Sequence, residues 1–468
     1  MNAFSAVLSP VEEMKRRHTG LSKLYSLETN AILERQSQQE SNARSYPRRI
    51  PLVLERAHGI YVEDSRGQVF IDCLAGAGTL ALGHNHPVVI EALQKALASG
   101  LPLHTLDLST PVKDAFVQEL MSCLPSEFAA KARIQFCGPS GADAVEAALK
   151  LTRTATARHG VLAFQGGYHG MTLGTLSLSG NLGPKSALGG LLAGVQFLPY
   201  PSEYRCPFGE QGERSIDLNL RYLSQLLEDP QGGIAQPAAM ILEAIQGEGG
   251  VVPAPDRWLQ GVRALTEAHG IPLILDEIQS GIGRSGKMFA FEHSGITPDV
   301  ITLSKAIGGG LPLAVTLYRE ELDQWQPGAH AGTFRGNQLA MAAGTATLRH
   351  VKQERLDLRA EAAGRQLEKA LLDLQSEFGW VGHVRGRGLM LGMEIIDPAK
   401  PSSDGNPATD SARASAFQRA CLERGLILEL GGRHGATVRL LPPLNISDKE
   451  LNHVTQILYC AASSLDRA

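Results

Sequence analysis

Between residues 133 and 318, short apolar runs alternate with stretches of helical periodicity. The runs fall at 133–137 (RIQFC), 161–164 (VLAF), 238–245, 272–275 (PLIL), 300–303 (VITL) and 313–318 (LAVTLY). The helical patterns fill 141–156, 215–229 and 256–269. A strand without polar alternation needs cover on both faces, and intervening helices provide it. The pattern predicts an α/β fold with a mostly parallel sheet between helical layers.

The texture differs on either side. Residues 1–45 are polar and mixed, and read as an N-terminal arm or as short helices that pack late. From Gly59, GIYVEDSRGQVFIDCLAG reads as a hairpin turning at Asp64, Ser65 and Gly67. Helices are expected at 86–99 and 111–124, the second with Thr110 as cap and Pro111 at its first position. After about 337, long helical stretches reach 375, short strands follow at 383–395 and 426–441, and a last helix starts beyond Ser447. The chain is thus expected to divide into an arm (1–45), an N-terminal part of a small domain (46–85), a large domain (86–340) and a C-terminal small domain (341–468). The small domain would be α+β, built from the C-terminal part and the N-terminal segment.

Charge and composition narrow the partners. With 44 basic and 48 acidic groups the formal charge is −4, which offers no basic surface for nucleic acid. The N-terminus lacks an apolar secretory core, and no run approaches the ~18 apolar residues of a membrane span. The six cysteines are scattered without CxxC spacing, which favours reduced thiols in a cytoplasmic protein over disulfides or a zinc site.

Four stretches carry candidate chemistry. PLILDEIQSG (272–281) ends a buried strand in Asp276, at the strand end where open parallel sheets bind ligands. PDVITLSKAIGGGLP (298–312) ends another in Lys305, followed by Gly308 to Gly310; burying an ammonium there is costly without a partner. The two residues lie 29 apart, which suits neighbouring parallel strands joined by a crossover. FCGPSGADAVEAALKLTR (136–153) sets Ser140, Gly141, Ala142 and Asp143 at a helix start, where free amides and the helix dipole favour an anion. FQGGYHG (164–170) places Tyr168 and His169 among glycines after a further strand. Each has a plain alternative: a surface acid, a solvated lysine, a capped helix, a packing aromatic. Pyridoxal phosphate would unite them, because it needs an amine for its aldehyde, a carboxylate for its ring nitrogen, an anion pocket and an aromatic on its ring.

In this light the chain resembles the class III (omega) aminotransferases, pyridoxal-phosphate enzymes of fold type I. The likeness runs from about Tyr46 to the C-terminus through GIYVEDSRG, LGHNHP, SGADAVEAALKL, YHG, EAIQGEGG, LILDEIQSGIGRSG, PDVITLSKAIGGGLP, GTFRGN and RLLPPL. The resemblance implies Lys305 as the cofactor-holding and proton-moving lysine and Asp276 as the partner of the ring nitrogen. It places Gln279 at the ring hydroxyl, Ser140, Gly141 and Ala142 at the phosphate, and Tyr168 and His169 about the ring. Thr333 would reach the cofactor of a neighbouring subunit, so a homodimer with shared sites is implied. Arg439 would bind the carboxylate of an amino or oxo acid, and Glu243 would mask it in one half-reaction. His84 and His86, in LGHNHP, are expected to be structural and not to bind metal.

Within the family the chain is most similar to the branch that uses diaminobutyrate and 2-oxoglutarate. RQSQQESNARSYPR, FCGPSGADAVEAALK and GTFRGNQLA carry that likeness, and Arg335 is an arginine that many relatives lack. Small residues at Ala75 to Gly78 stand where some ornithine-specific relatives have an aromatic. Ornithine, acetylornithine, 4-aminobutyrate and β-alanine stay open as donors, and so does the pathway served, whether to siderophores, ectoine or diaminopropane. Two rival readings rest on residues alone. Gly281 to Lys287 fits GxxxxGK, but Met288 follows where a nucleotide hydrolase needs Ser or Thr. Gly138 to Ala142 misses the last glycine of an esterase GxSxG.

Overall fold

The computed structural model describes residues 9–466. A seven-stranded sheet forms its centre, in the order 132–136, 315–319, 300–303, 273–276, 239–242, 161–164, 195–198. The Leu273–Asp276 strand runs parallel to both neighbours, Val300–Leu303 and Ala239–Leu242. All four of its residues are buried, as are those of 300–303, 239–242 and 161–164, so the apolar runs are the fully covered strands. The expected α/β fold with a mostly parallel sheet is present. One strand, Val315–Arg319, runs antiparallel to both neighbours, because the chain returns from Leu303 without a crossover helix. The Val195–Leu198 strand was not anticipated; it lies at the sheet edge with half-exposed Val195 and Phe197 and exposed Gln196.

Helices follow their caps. The Gly141–Thr156 helix starts at Ser140, whose side chain accepts from the Asp143 amide, and the Pro111–Met121 helix starts at Thr110, which accepts from Lys113. The expected helical stretch after 337 splits into Gln338–Gln353 and Leu356–Glu377, broken at Arg355, which takes left-handed φ 48°. The first of these packs on the Pro87–Ala98 and Pro111–Met121 helices, and the second on the Val381–Arg387 strand.

Three further sheets are found among the described residues, the smallest a pairing of Ile245–Gln246 with Val252–Pro253. Another joins Leu54–His58, Tyr61–Asp64 and Val69–Asp72 to the distant Leu426–Ile427, so N- and C-terminal segments share hydrogen bonds. The third runs Val381–Arg387, Met390–Pro401, Thr437–Leu440, Glu429–Gly431. In it Arg439 lies opposite Glu429 on one side and Gly392 on the other. In the arm, Pro10–Arg17 and Ala31–Gln39 are helical, and Met14 of the first is buried against the N-terminal sheet. Among the described residues all six cysteines are free, and only Cys460 is exposed. His84 Nε2 lies 2.8 Å from Asp72 Oδ2 and the His86 ring packs on His350, both in structural contacts. No helix among the described residues is long and apolar enough to cross a membrane.

The Leu356–Glu377 helix closes on the Arg387–Met390 turn at Gly364, where a Cβ would overlap the Gly388 carbonyl. That turn sets the strand that pairs with Arg439. Backbone cannot rotate away as a side chain can, so Gly364→Ala is expected to cost roughly 1–3 kcal/mol. Chemical unfolding followed by circular dichroism checks this; an unchanged midpoint would show that the helix can shift freely.

Candidate active site

Asp276 and Lys305 meet above the carboxyl ends of neighbouring strands. Asp276 closes Leu273–Asp276 in register with Thr302, and Lys305 follows three residues later. Lys305 opens a single 3₁₀ turn, Lys305–Gly308, with left-handed φ 48°, a conformation that costs a non-glycine residue about 1 kcal/mol or more. The turn is held in place. Ser304 Oγ donates to the Leu313 carbonyl at 2.8 Å, and Gly309 approaches the Gln338–Gln353 helix so closely that a Cβ would lie 2.8 Å from the Ala343 oxygen. The glycine run therefore serves this helix contact. Burial lowers the Lys305 pKa, against the opposing pull of Glu248.

Asp276 is 4% exposed. Its Oδ2 lies 2.8 Å from His169 Nδ1, and its Oδ1 accepts from the Ile278 amide at 3.1 Å. Burial depresses the His169 pKa, but the Asp276 hydrogen bond and charge outweigh it, so the net shift is upward. His169 thus acts on Asp276 and orients it. Its Nε2 is buried and finds no protein partner among the described residues.

A cavity of about 510 Å³ is lined by Lys305, Asp276, His169, Tyr168, Gln279 and the 140–142 turn. Gly141 and Ala142, at the first two helical positions, have no carbonyl one turn back to receive their amides. The Asp143 amide, in contrast, is used by Ser140, and the Asp143 carboxylate turns away to the Gly138 amide and His330. A Cβ at Gly141 would lie 2.8 Å from Ile278 Cδ1, so a larger residue there would have to push the Ile278 side chain aside. A half-buried amine of lowered pKa, an oriented carboxylate, free helix-start amides and a half-buried tyrosine fit pyridoxal phosphate.

The Arg439 end departs from expectation. Arg439 is fully buried, and its partner is not Glu243. Its Nη1 lies 2.6 Å from Glu248 Oε1 and 3.3 Å from Glu429 Oε2, and its Nη2 donates to Gln279 Oε1 at 2.8 Å. Glu243 instead accepts from the Tyr168 and Gly247 amides, both at 3.0 Å. It is a strut that fixes the Tyr168 turn. The reason is local: the strand ends at Leu242 with Glu243 pointing into the sheet end, and only after the Ile245–Gln246 strand does the next acid emerge at Glu248. Gln279 has both polar ends engaged, since its Nε2 donates to the Ala77 carbonyl. Thr333 is exposed and lies outside its own chain's cavity, with its carbonyl 3.0 Å from His104 Nε2. Arg335 holds that loop through Gly332, His330 and Asp107. The Gly281 to Lys287 stretch forms turns, buried as far as Gly286, with no helix behind them for a phosphate, which removes the nucleotide-hydrolase reading.

Sequence reasoning missed Glu248, Glu429 and Tyr46. Tyr46 Oη donates to Glu429 Oε1 at 2.8 Å. Glu248 stands in the EGG of EAIQGEGG and was open to notice as a second acid; Glu429 is marked only by its place opposite Arg439.

Burial raises the Glu243 carboxyl to about 7, with His169 pulling against it. The native state then holds a proton that the unfolded chain releases near the ordinary carboxylate value. Its contribution to stability is complete below that value and is lost as pH rises through about 7. Glu277, also raised to about 7 by burial, adds in the same direction. Glu243→Gln should flatten the fall in unfolding free energy from about pH 5 to about pH 7, by at most ~1.4 kcal/mol per pH unit. Denaturant melts across that range decide it; parallel slopes for the two proteins would mean that Glu243 is already ionised in the native state.

The comparisons with known proteins agree with this geometry. The family described as aminotransferase class-III matches residues 42–461. A diaminobutyrate–2-oxoglutarate aminotransferase of Rhizobium meliloti is 57% identical over 93% of both chains. One of Haemophilus influenzae is 54% identical over 90% of this chain and 92% of its own. Among solved structures, a PLP-bound amine transaminase from an uncultivated Pseudomonas species superposes with TM-score 0.80 at 28% identity, over 91% of this chain and 98% of its own. The Toxoplasma gondii ornithine aminotransferase does so with TM-score 0.79 at 26% identity, over 98% of this chain and all of its own.

Proposed function

The chain belongs to the class-III aminotransferase family, and we propose that it moves the 4-amino group of L-2,4-diaminobutyrate to 2-oxoglutarate. The products are L-aspartate 4-semialdehyde and L-glutamate. The carrying observation is the pair of relatives of that name, more than half identical over at least nine-tenths of this chain. The site supports it, since Lys305, Asp276 and Glu248 line one cavity, and Glu248 masks Arg439 behind it.

Bound pyridoxal phosphate supplies an electron sink for the charge left when the amine-bearing carbon loses its proton. The chain's own residues do the rest. Lys305, with its lowered pKa, offers Nζ as the base that takes that proton and later returns it. Asp276, oriented by His169, sets a negative charge against the ring nitrogen. Gly141 and Ala142 turn their amides to the phosphate, with the helix dipole behind them. Tyr168, fixed by Glu243, covers one side of the cavity.

Two substrates of different charge must use one pocket in turn. Arg439 is the cation for a carboxylate of 2-oxoglutarate, and Glu248 covers it when the amine donor is bound. Burial works against the Glu248 charge, but Arg439 outweighs burial and holds the pKa down, so the pair is ionic when closed. Glu248 lines the cavity and its side chain is 36% exposed, so it can swing clear.

Thr333 supports a homodimer with shared sites. It sits beside Phe334, Leu103, Leu106 and Leu108, all more than half exposed, in a patch suited to a second copy of this chain. Buried unpaired thiols fit a reducing cytoplasm.

The test of the donor is a panel of diaminobutyrate, ornithine, 4-aminobutyrate and β-alanine with 2-oxoglutarate, scored by glutamate formed. Diaminobutyrate should give the highest kcat/KM, and a higher value for any other overturns the reading. Separately, Arg439→Ala should raise the KM for 2-oxoglutarate on the order of 10–100-fold, as expected when a charged hydrogen bond is lost, and that for the amine donor far less. Equal rises for both substrates would remove the masking role.

A further inference from the structure

One fully buried arginine, Arg439, carries two carboxylates, and one of them, Glu248, lines the cavity. Arg439 Nη1 contacts Glu248 Oε1 at 2.6 Å and Glu429 Oε2 at 3.3 Å. One acid is enough to neutralise the guanidinium, so the second is a surplus negative charge in a buried place. Such a charge is costly unless something cationic comes to it.

The two acids are held differently. Glu248 faces the cavity at the end of a glycine-rich turn. Glu429 sits on the Glu429–Gly431 strand directly opposite Arg439, so the two side chains share one face of the sheet. It is 8% exposed, and Tyr46 Oη fixes its Oε1 at 2.8 Å. Its Oε2 is buried and accepts no hydrogen bond among the described residues; the Arg439 contact is ionic only. Burial raises its pKa and Arg439 opposes the rise, the behaviour of an acid with too little positive charge around it. Its charge is felt by Lys305 and by Tyr168, both of which line the cavity.

Among the described residues Arg439 is the one cation in direct contact with the two acids, and the donor of the proposed reaction brings another. L-2,4-diaminobutyrate carries an ammonium on C2, two carbons from the amine that reacts. 2-Oxoglutarate has a keto oxygen and two carboxylates, and no cation. Resting on the donor reading above, we propose that Glu429, positioned by Tyr46, receives the 2-ammonium of diaminobutyrate and so selects donors that carry one. Glu248 then governs access to Arg439, while Glu429 stays in place through both half-reactions. For 2-oxoglutarate Glu429 is a hindrance, because it competes for the same guanidinium. The two substrates therefore respond differently to its removal: the donor is handled worse and 2-oxoglutarate is not.

Steady-state kinetics of the holoenzyme test this, since kcat/KM for each substrate of a two-step exchange reports that substrate's own half-reaction. Glu429→Gln should lower kcat/KM for diaminobutyrate roughly 10- to 100-fold, the loss of one charged hydrogen bond. The same variant should leave kcat/KM for 2-oxoglutarate unchanged or raised. Tyr46→Phe, which keeps the acid but frees it, should shift the ratio the same way by a smaller factor, about threefold, and stands in if the first variant does not fold. A parallel fall for both substrates, or an unchanged ratio, overturns the inference while the donor reading survives. A wild-type enzyme inactive with diaminobutyrate overturns both.

Discussion

A carboxylate buried at the end of a central strand constrains everything around it. Asp276 is out of water, so each of its oxygens needs a donor, and the fold supplies His169 to one and the Ile278 amide to the other. For His169 to arrive, the 161–164 strand must end at the same level of the sheet, and its following turn must be pinned. Glu243 does the pinning through the Tyr168 amide, and Ser179 Oγ accepts from the His169 amide at 3.0 Å. Parallel pairing with 300–303 then brings Lys305 to the same height. The acid, the histidine and the lysine come from three strands, and the register of those strands sets their separation.

The central sheet was legible because covered strands leave no room for polar residues. Four of the apolar runs coincide with strands buried along their whole length. The Gly141–Thr156 helix was legible to its ends because Ser140 caps one and the pattern breaks at the other, where Ala157 turns left-handed. The edge strand Val195–Leu198 was not, since one face meets solvent and tolerates Gln196. The direction of Val315–Arg319 lay hidden for a different reason. Strand runs show where strands are, while direction depends on the connection, and residues 304–314 hold only a single 3₁₀ turn. A parallel return needs a dozen or more residues.

At the site, residues at strand ends could be found and residues joined by turns could not. Asp276 and Lys305 follow directly from buried runs, and Gly141 and Ala142 from a helix start. EAIQGEGG holds two acids five residues apart, and spacing alone does not say which one faces the arginine. Both line the cavity, and the short Ile245–Gln246 strand between them separates their partners: Glu243 accepts from the Tyr168 and Gly247 amides, and Glu248 meets Arg439. Glu429 is further from view. Its relation to Arg439 exists only in the register of a hairpin, closed by Gly431 and Gly432, where a Cβ at Gly431 would lie 2.6 Å from Arg439 Cδ. Glycine here lets the arginine lie flat across its neighbour strand.

The division between the cofactor end and the substrate end passes through Gln279. Its Oε1 receives Arg439 and its Nε2 holds the Ala77 carbonyl, while its backbone lies three residues beyond Asp276. A neutral amide takes one arm of the buried arginine, and the buried acid is bonded to His169 and the Ile278 amide, so the two charges are held apart by separate partners. The cost of keeping them apart is that each needs its own counter-charge: His169 on one side, Glu248 with Glu429 on the other. Those counter-charges differ in burial: His169 and Glu429 are buried, while the Glu248 side chain is 36% exposed and is the one most open to solvent.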